Sequence, residues 1–270
     1  MNPNLPLTPL CQAAITIAKQ AGEVILEVYN SSRDLQIEHK EDETPVTNAD
    51  YAAHHLIVAE LEKLSPAFPV LSEESIHISF LERGRWPTYW LVDPLDGTRE
   101  FIKRSDQFSV NIALIHHHQP VLGVIYVPVF EHLYYATQGA GAWRQNSNDS
   151  AFPIQTRPLD LNDFTLASSL NPGGPRQQAY ITALPPHRIT PMGSSIKSCL
   201  VAEGAADLYP RLGPTSEWDT AAAQCIVEEA GGKITHLNLT PLSYNNKAAL
   251  LNPHFLVFGD PRHDWSQYRR

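Results

Sequence analysis

Trp90-Leu91-Val92-Asp93-Pro94-Leu95-Asp96-Gly97-Thr98-Arg99-Glu100-Phe101 is the stretch on which the reading of the fold turns. Its apolar front is a buried-type strand that delivers Asp93 to its end, and Pro94 bends the chain so that Asp96 comes back beside it. Two carboxylates this close in a tight loop repel each other unless a cation lies between them. Hard divalent ions take oxygen ligands, and the Leu95 carbonyl is free in such a loop to add one. Gly97 permits close approach of the backbone. Thr98 stands where a helix can begin, so its N–H and hydroxyl can face a phosphate. Taken alone, the segment also reads as an ordinary Asp-Gly turn.

Working outward, three other acidic sites share this placement. Glu73 and Glu74 directly follow an apolar strand at 68–71. Asp219 stands at the front of an Ala-rich helix that closes at Gly231-Gly232, and Asp50 lies in the first turn of a helix introduced by Thr47-Asn48. Each carboxylate near a helix start is explained by the macrodipole alone. A fold that gathers all these ends at one edge would make a polycarboxylate metal site.

The remaining pattern predicts a layered α/β or α+β body. A helix starts with Thr8 as N-cap and Pro9 at its first position, carries an apolar stripe to Val28 and stops at Asn30-Ser31-Ser32. A polar segment at 33–43 holds a short strand or hairpin around Leu35 and Ile37. A second helix spans 48–64, residues 76–87 form an irregular excursion, and strands lie at 89–92, 110–115, 121–127 and 133–136. His116-His117-His118-Gln119-Pro120 turns the middle pair into a hairpin. Neighbouring strand residues point to opposite faces, so this His triplet does not converge on a metal. An edge strand is expected at 152–155, and Asn171-Pro172-Gly173-Gly174-Pro175 is a strong break. Beyond it come helices at 196–203 and 220–230, and strands at 207–210, 233–235 and 255–258.

Composition bounds the function. The 270 residues are 43% hydrophobic and 18% charged, which suits a globular chain with a sizeable core and excludes disorder and coiled coil. No apolar run reaches the ~18 residues of a membrane span, and the first ten residues lack the charge and cleavage site of a signal peptide. Cys11, Cys199 and Cys225 form no CxxC pair, so a disulfide framework and a zinc ribbon are disfavoured and a reducing cytosol fits. A net charge of −9 without a basic face excludes a nucleic-acid polymer as partner. A polyanionic substrate needs bound cations or a few well-placed basic groups. GxSxG, P-loop and GxGxxG patterns are absent.

Val92-Asp93-Pro94-Leu95-Asp96-Gly97-Thr98, Leu71-Ser72-Glu73-Glu74 and Trp218-Asp219-Thr220-Ala221-Ala222-Ala223 resemble the three signatures of the inositol monophosphatase superfamily of magnesium-dependent, lithium-sensitive phosphatases. Within it the chain is similar to the bacterial 3′(2′),5′-bisphosphate nucleotidases of the sulfur-assimilation type. The similarity lies in Thr44-Pro45-Val46-Thr47, in 93–103 running to Ile115, in Gly193-Ser194-Ser195-Ile196-Lys197, in 200–204 and in Tyr209-Pro210-Arg211. The resemblance implies an α-β-α-β-α sandwich with halves at 1–150 and 151–270 packed as one unit and joined within 146–155.

It further implies removal of the 3′-phosphate from adenosine 3′,5′-bisphosphate, or from 3′-phosphoadenylyl sulfate. Inositol monophosphate or a sugar phosphate is the alternative substrate, and a non-catalytic phosphoanion binder the remote one. Carried over by residue, Glu73, Asp93 and the Leu95 carbonyl hold one Mg²⁺. Asp93, Asp96 and Asp219 hold a second, and a third, looser ion is an option. Asp50 and Thr98 orient and deprotonate the attacking water, Glu74 supports them, and Gly97 and Thr98 donate to the scissile phosphate. Glu73 and Asp219 also border the substrate, whose second phosphate falls to Lys197 and Arg211 with help from Ser194.

One departure bears on specificity. The nucleotidases commonly carry Ser-Arg-Ser-His where this chain has Ala167-Ser168-Ser169-Leu170, so Arg176, His187 and Arg188 become candidates to replace the missing Arg and His. The resemblance implies a cytoplasmic enzyme, with peripheral attachment at the inner membrane as an option that no polybasic stretch supports. Homo-oligomerisation is left open.

Overall fold

In the computed structural model, which describes residues 5–31, 35–40, 44–75, 78–169 and 173–268, the N-terminal apolar stripe is α1 (Leu7–Asn30). A hairpin of β1 (Ile37–His39) and β2 (Pro45–Thr47) leads straight into α2 (Asn48–Leu61). There follow β3 (Val70–Ser72), the single turn α3 (Phe80–Arg83), β4 (Thr88–Asp96) and α4 (Thr98–Ile102). An antiparallel meander continues through β5 (Ser109–His116), β6 (Gln119–Val127), β7 (His132–Thr137), β8 (Ala142–Asn146) and β9 (Phe152–Ile154). The rest of the chain supplies β10 (Thr165–Ser168), α5 (Pro175–Ala183), β11 (Arg188–Pro191), α6 (Ile196–Ala202), β12 (Leu208–Arg211), α7 (Glu217–Glu229), β13 (Lys233–His236) and β14 (Phe255–Phe258).

Strands β3 to β9 form one seven-stranded sheet in sequence order, and a five-stranded sheet has the order β11-β10-β12-β14-β13. Strand alternation sorts the core into layers. Trp90, Val92, Ile112 and Leu114 face α1 and α2, whereas Tyr89, Leu91, Ala113 and Ile115 face α6 and α7. The other side of those two helices meets Tyr209, Ile234, Phe255 and Val257 of the second sheet. Leu166, Leu208, Leu256 and Phe258 point away from them toward Tyr180 of α5 and Trp265. The result is the expected α-β-α-β-α sandwich of an α+β protein.

Several local expectations need correction. Pro6, not Thr8, occupies the N-cap position of α1, and no side chain caps it. The second helix ends at Leu61, ahead of the Ser65-Pro66 step that would break it anyway. Helix α7 begins at Glu217 rather than Thr220, because Ser216 supplies its cap. β8, β10, α5 and β11 have no counterpart in the sequence reading. The 76–87 excursion contains α3, its first two residues lying outside the described residues, as do 171–172 of the Pro-Gly break. His117 and His118, at φ 46° and 66°, make the two-residue turn whose twist suits a hairpin.

Candidate active site

The register of β4 against β5 shifts between Asp93 and Asp96: Asp93 pairs with Asn111 and Asp96 with Ser109. One extra residue on β4 is therefore absorbed as a bulge at Pro94-Leu95, which has no N–H to spare at Pro94. The bulge turns both aspartates to the same side. Asp93 is 2% exposed and Asp96 half-buried. Gly97, at φ 96°, then turns the chain into α4; a Cβ there would meet the Gln107 carbonyl at 3.0 Å and Ser194 Cβ at 3.3 Å.

Two capping boxes bring in the next carboxylates. Asp50 Oδ2 accepts from Thr47 N and Oγ1 at 2.8 and 2.6 Å, and Asp219 Oδ2 accepts from Ser216 N at 2.9 Å. Each Asp occupies the third position of its helix and spends one oxygen on the cap, leaving the other for the pocket. The free oxygen of Asp50 accepts from Thr98 Oγ1 at 3.1 Å, and that hydroxyl also lies 3.3 Å from the Leu95 carbonyl.

Glu73, placed at the end of β3 by its N–H to Val92 O, completes the centre. One oxygen from each of Glu73, Asp93 and Asp219 lies within 4.8 Å of the other two. Desolvation, with the charges of Glu73, Asp96 and Asp219, pushes the Asp93 carboxyl well above the ordinary range. Asp219 is raised in the same way, by desolvation and the charges of Asp96 and Glu73. Carboxyl groups this near need a proton or a cation between them. The donors are all oxygen, and together they carry more negative charge than nearby cations match, so they fit a hard divalent ion.

Glu74 sits apart from this group. Lys40 Nζ bridges it and Glu73, at 2.6 and 2.8 Å. Desolvation raises both carboxyls while Lys40 holds them back; against partial burial, the two glutamates hold the Lys40 ammonium above its usual value. Sequence reasoning missed Lys40, which stands in an unremarkable polar segment.

Lys197, which the resemblance assigns to the second phosphate, feels the charges of both Asp96 and Asp219. It is 4% exposed, with Nζ donating to Ser194 O at 2.7 Å and lying 5.2 Å from the Tyr209 ring centroid. Burial lowers its pKa to about 8 in spite of Asp96, and Arg211 adds to the lowering. Arg211 Nη2 donates to Pro214 O at 3.0 Å, and its buried Nε has no partner among the described residues. Ser194 contributes little: its Oγ is 3.4 Å from both Ser109 Oγ and Ile196 N.

Ser195, a residue the sequence reading passed over, does more. It donates through N and Oγ to Asp96 Oδ2. Ser168 ends β10 in the buried interior, whereas Leu170 lies outside the described residues. Neither His187 nor Arg188 can replace the missing basic groups. Parallel register sets Arg188 beside Thr165 and Pro191 beside Ser168, so Arg188 is three residues, about 10 Å, from the Ser168 end. Arg188 pairs with Asp163, and His187 Nδ1 contacts Pro185 O at 2.8 Å. Arg176 is solvent-exposed in the first turn of α5.

This carboxylate centre, set in a five-layer sandwich, defines a metal-dependent phosphatase of known type. Residues 7–260 match the inositol monophosphatase family model, and the chain belongs to that family. It is 44% identical over 251 residues to the 3′(2′),5′-bisphosphate nucleotidase CysQ of Salmonella typhimurium, covering 93% of this chain and 98% of that one. The CysQ nucleotidase of Haemophilus influenzae is 40% identical over 95% of both chains. The crystal structure of CysQ from Bacteroides thetaiotaomicron superposes with a TM-score of 0.83 at 40% identity, over 95% of this chain and 99% of that one. Members of this family use divalent metal ions.

Proposed function

We propose that this protein is a 3′(2′),5′-bisphosphate nucleotidase of sulfur metabolism. It hydrolyses the 3′-phosphate of adenosine 3′,5′-bisphosphate to give AMP and phosphate, with 3′-phosphoadenylyl sulfate as a second substrate. The observation that carries this reading is the pairing of a three-carboxylate cluster with a buried ammonium, Lys197, that feels the charges of Asp96 and Asp219. A monophosphate needs only the first; a bisphosphate needs both.

Glu73, Asp93 and the Leu95 carbonyl would hold one Mg²⁺ and Asp93, Asp96 and Asp219 a second, with a third, looser ion an option. When bound, the ions screen the phosphate charge and make a water acidic enough to attack. Thr98 donates a hydrogen bond from its hydroxyl to Asp50 Oδ1, 3.1 Å away, which turns an Oγ1 lone pair toward that water. The water proton moves to Thr98 as the Thr98 proton moves to Asp50, whose proton affinity is raised by burial. Gly97 and Thr98 offer first-turn N–H groups, which have no intrahelical acceptor, to the scissile phosphate. Lys197 and Arg211 take the second phosphate, with Ser194 beside them. Glu74 acts at one remove, by sharing Lys40 with Glu73.

In this reading the halves 1–150 and 151–270 face each other across the pocket. Among the described residues no helix is long and apolar enough to cross a membrane, and the three cysteines are free and buried. We assign the enzyme to the cytoplasm. The test is phosphate release with Mg²⁺ from adenosine 3′,5′-bisphosphate and from inositol 1-phosphate, side by side. A strong preference for the nucleotide is expected; preference for the inositol ester would overturn the substrate while leaving the metal chemistry.

A further inference from the structure

Asp96 follows the β4 bulge and precedes the left-handed Gly97, at the very end of its strand. Its restraint comes from elsewhere. Ser195, just ahead of α6, donates both N–H and hydroxyl to Asp96 Oδ2, the hydroxyl at 2.6 Å. Asn111 Nδ2 donates to Ser195 Oγ at 2.9 Å and reaches the same Oδ2 at 3.5 Å. Ser109 donates to Asn111 Oδ1 at 3.1 Å, which orients the carboxamide so that its N–H₂ faces Ser195. Ser109, Asn111 and Ser195 are 0%, 1% and 5% exposed, so water cannot replace any of these contacts cheaply.

The Ser195 N–H and hydroxyl and the Asn111 amide converge on one oxygen, Asp96 Oδ2. Among the described residues Asp96 Oδ1 receives no hydrogen bond, in contrast to Oδ2. Ser195 Oγ also lies 2.9 Å from the Asp219 carbonyl, so a single hydroxyl touches two segments that carry carboxylates, the end of β4 and the first turn of α7. Purely structural packing would not need a charged residue here with one oxygen saturated and the other bare.

We infer that Ser195, held by Asn111, is a positioning residue that presents Asp96 Oδ1 to the second of the two metal ions. This rests on the metal assignment proposed above. Ser195 never meets the substrate or the reacting atoms; it acts through Asp96. Because Asp96 belongs to the second ion only, loss of Ser195 should weaken one binding step and spare the other.

The experiment is calorimetric titration of the full chain with Mg²⁺ alone, comparing wild type with Ser195→Ala, Ser195→Thr and Asn111→Ala. Wild type should show two steps. Ser195→Ala should weaken the second by about tenfold or more, the effect of removing a hydrogen bond to a charged group, and leave the first within about twofold. Ser195→Thr, which keeps the hydroxyl, should restore it. Asn111→Ala should act in the same direction but less, which keeps the test alive should Ser195→Ala fold poorly. In turnover, Ser195→Ala should lower kcat at limiting Mg²⁺ and recover when Mg²⁺ is raised, with KM for the nucleotide little changed. A variant with reduced Tm but both steps unchanged, or with both steps weakened equally, overturns the inference. A wild type that binds no Mg²⁺ defeats the metal assignment itself, and the inference with it.

Discussion

At one end of the pocket, oxygens of Glu73, Asp93 and Asp219 lie within 4.8 Å of one another. At the other, the Lys197 ammonium has a carbonyl and a Tyr209 ring for company. Burial works against both ends and pushes them in opposite directions, raising the carboxyls and lowering the amine. The carboxylate end is short of cations, and the cationic corner is short of an anion. A bisphosphate with metal ions supplies what each lacks, so the two ends can be separated by variants that disturb one and spare the other.

The largest effect belongs to Asp93, shared by both ions. Asp93→Asn should cost about a thousandfold or more in kcat, and calorimetry should find Mg²⁺ binding lost. The same variant should melt higher than wild type without metal, since it removes a buried charge that has no counter-ion. Wild type should show a matching pH dependence. Folded Asp93 and Asp219 keep their protons to higher pH than they do in the unfolded chain, so metal-free stability should fall as pH rises above about 4. Saturating Mg²⁺ should flatten or reverse that slope. A metal-free Tm that climbs across this range would break the comparison at its first step.

Next in size are Asp50→Asn and Thr98→Ala. Each should lower kcat by about a hundredfold or more while Mg²⁺ affinity stays close to wild type. Equal loss of metal affinity would contradict the proton-transfer role drawn from the 3.1 Å contact between them.

At the cationic corner, Lys197→Ala should raise KM for adenosine 3′,5′-bisphosphate by about 10- to 100-fold, the range for one charge-assisted hydrogen bond. KM for a phosphate monoester should move far less. With its pKa lowered to about 8, Lys197 loses its charge as pH passes through that value. Wild-type KM for the bisphosphate should therefore rise above pH 8, whereas Lys197→Ala should lack that rise. Equal shifts for both substrates would mean that the lysine only supports the fold.

The parts of this comparison legible in the sequence were those with local chemistry. Pro94 and Gly97 announced a bend between Asp93 and Asp96, although the strand runs on through a bulge to Asp96 in place of ending at Asp93, and Thr47–Asp50 and Ser216–Asp219 carry the spacing of capping boxes. What escaped was carried by long-range contacts. Asn111 and Ser195 are 84 residues apart. The readable signal was an asparagine interrupting the apolar run 110–115, where a buried amide must find partners. Strand β11 has a mostly exposed face, and α5 is short and weakly amphipathic, so neither shows the periodicity that reveals its neighbours. Lys40 looked like any other surface lysine, and only the fold brings it to Glu73.

Lys40 offers the finest division, because it is the cation that the carboxylate end already possesses. Its ammonium bridges Glu73 and Glu74 from the turn end of the β1–β2 hairpin, whose first strand is exposed throughout. Glu73 is also an assigned metal ligand, so ammonium and metal draw on the same carboxylate, and their like charges repel at short range. Lys40→Met keeps the aliphatic stem and removes the charge. Without metal it should lower Tm, because Glu73 and Glu74 lose their shared partner; by calorimetry it should bind Mg²⁺ a few-fold more tightly. Partial exposure of the pair keeps both effects small. Weaker Mg²⁺ binding in Lys40→Met would instead mean that the lysine helps to arrange Glu73 for the ion, and the carboxylate end would then have to be redrawn with Lys40 as part of its framework.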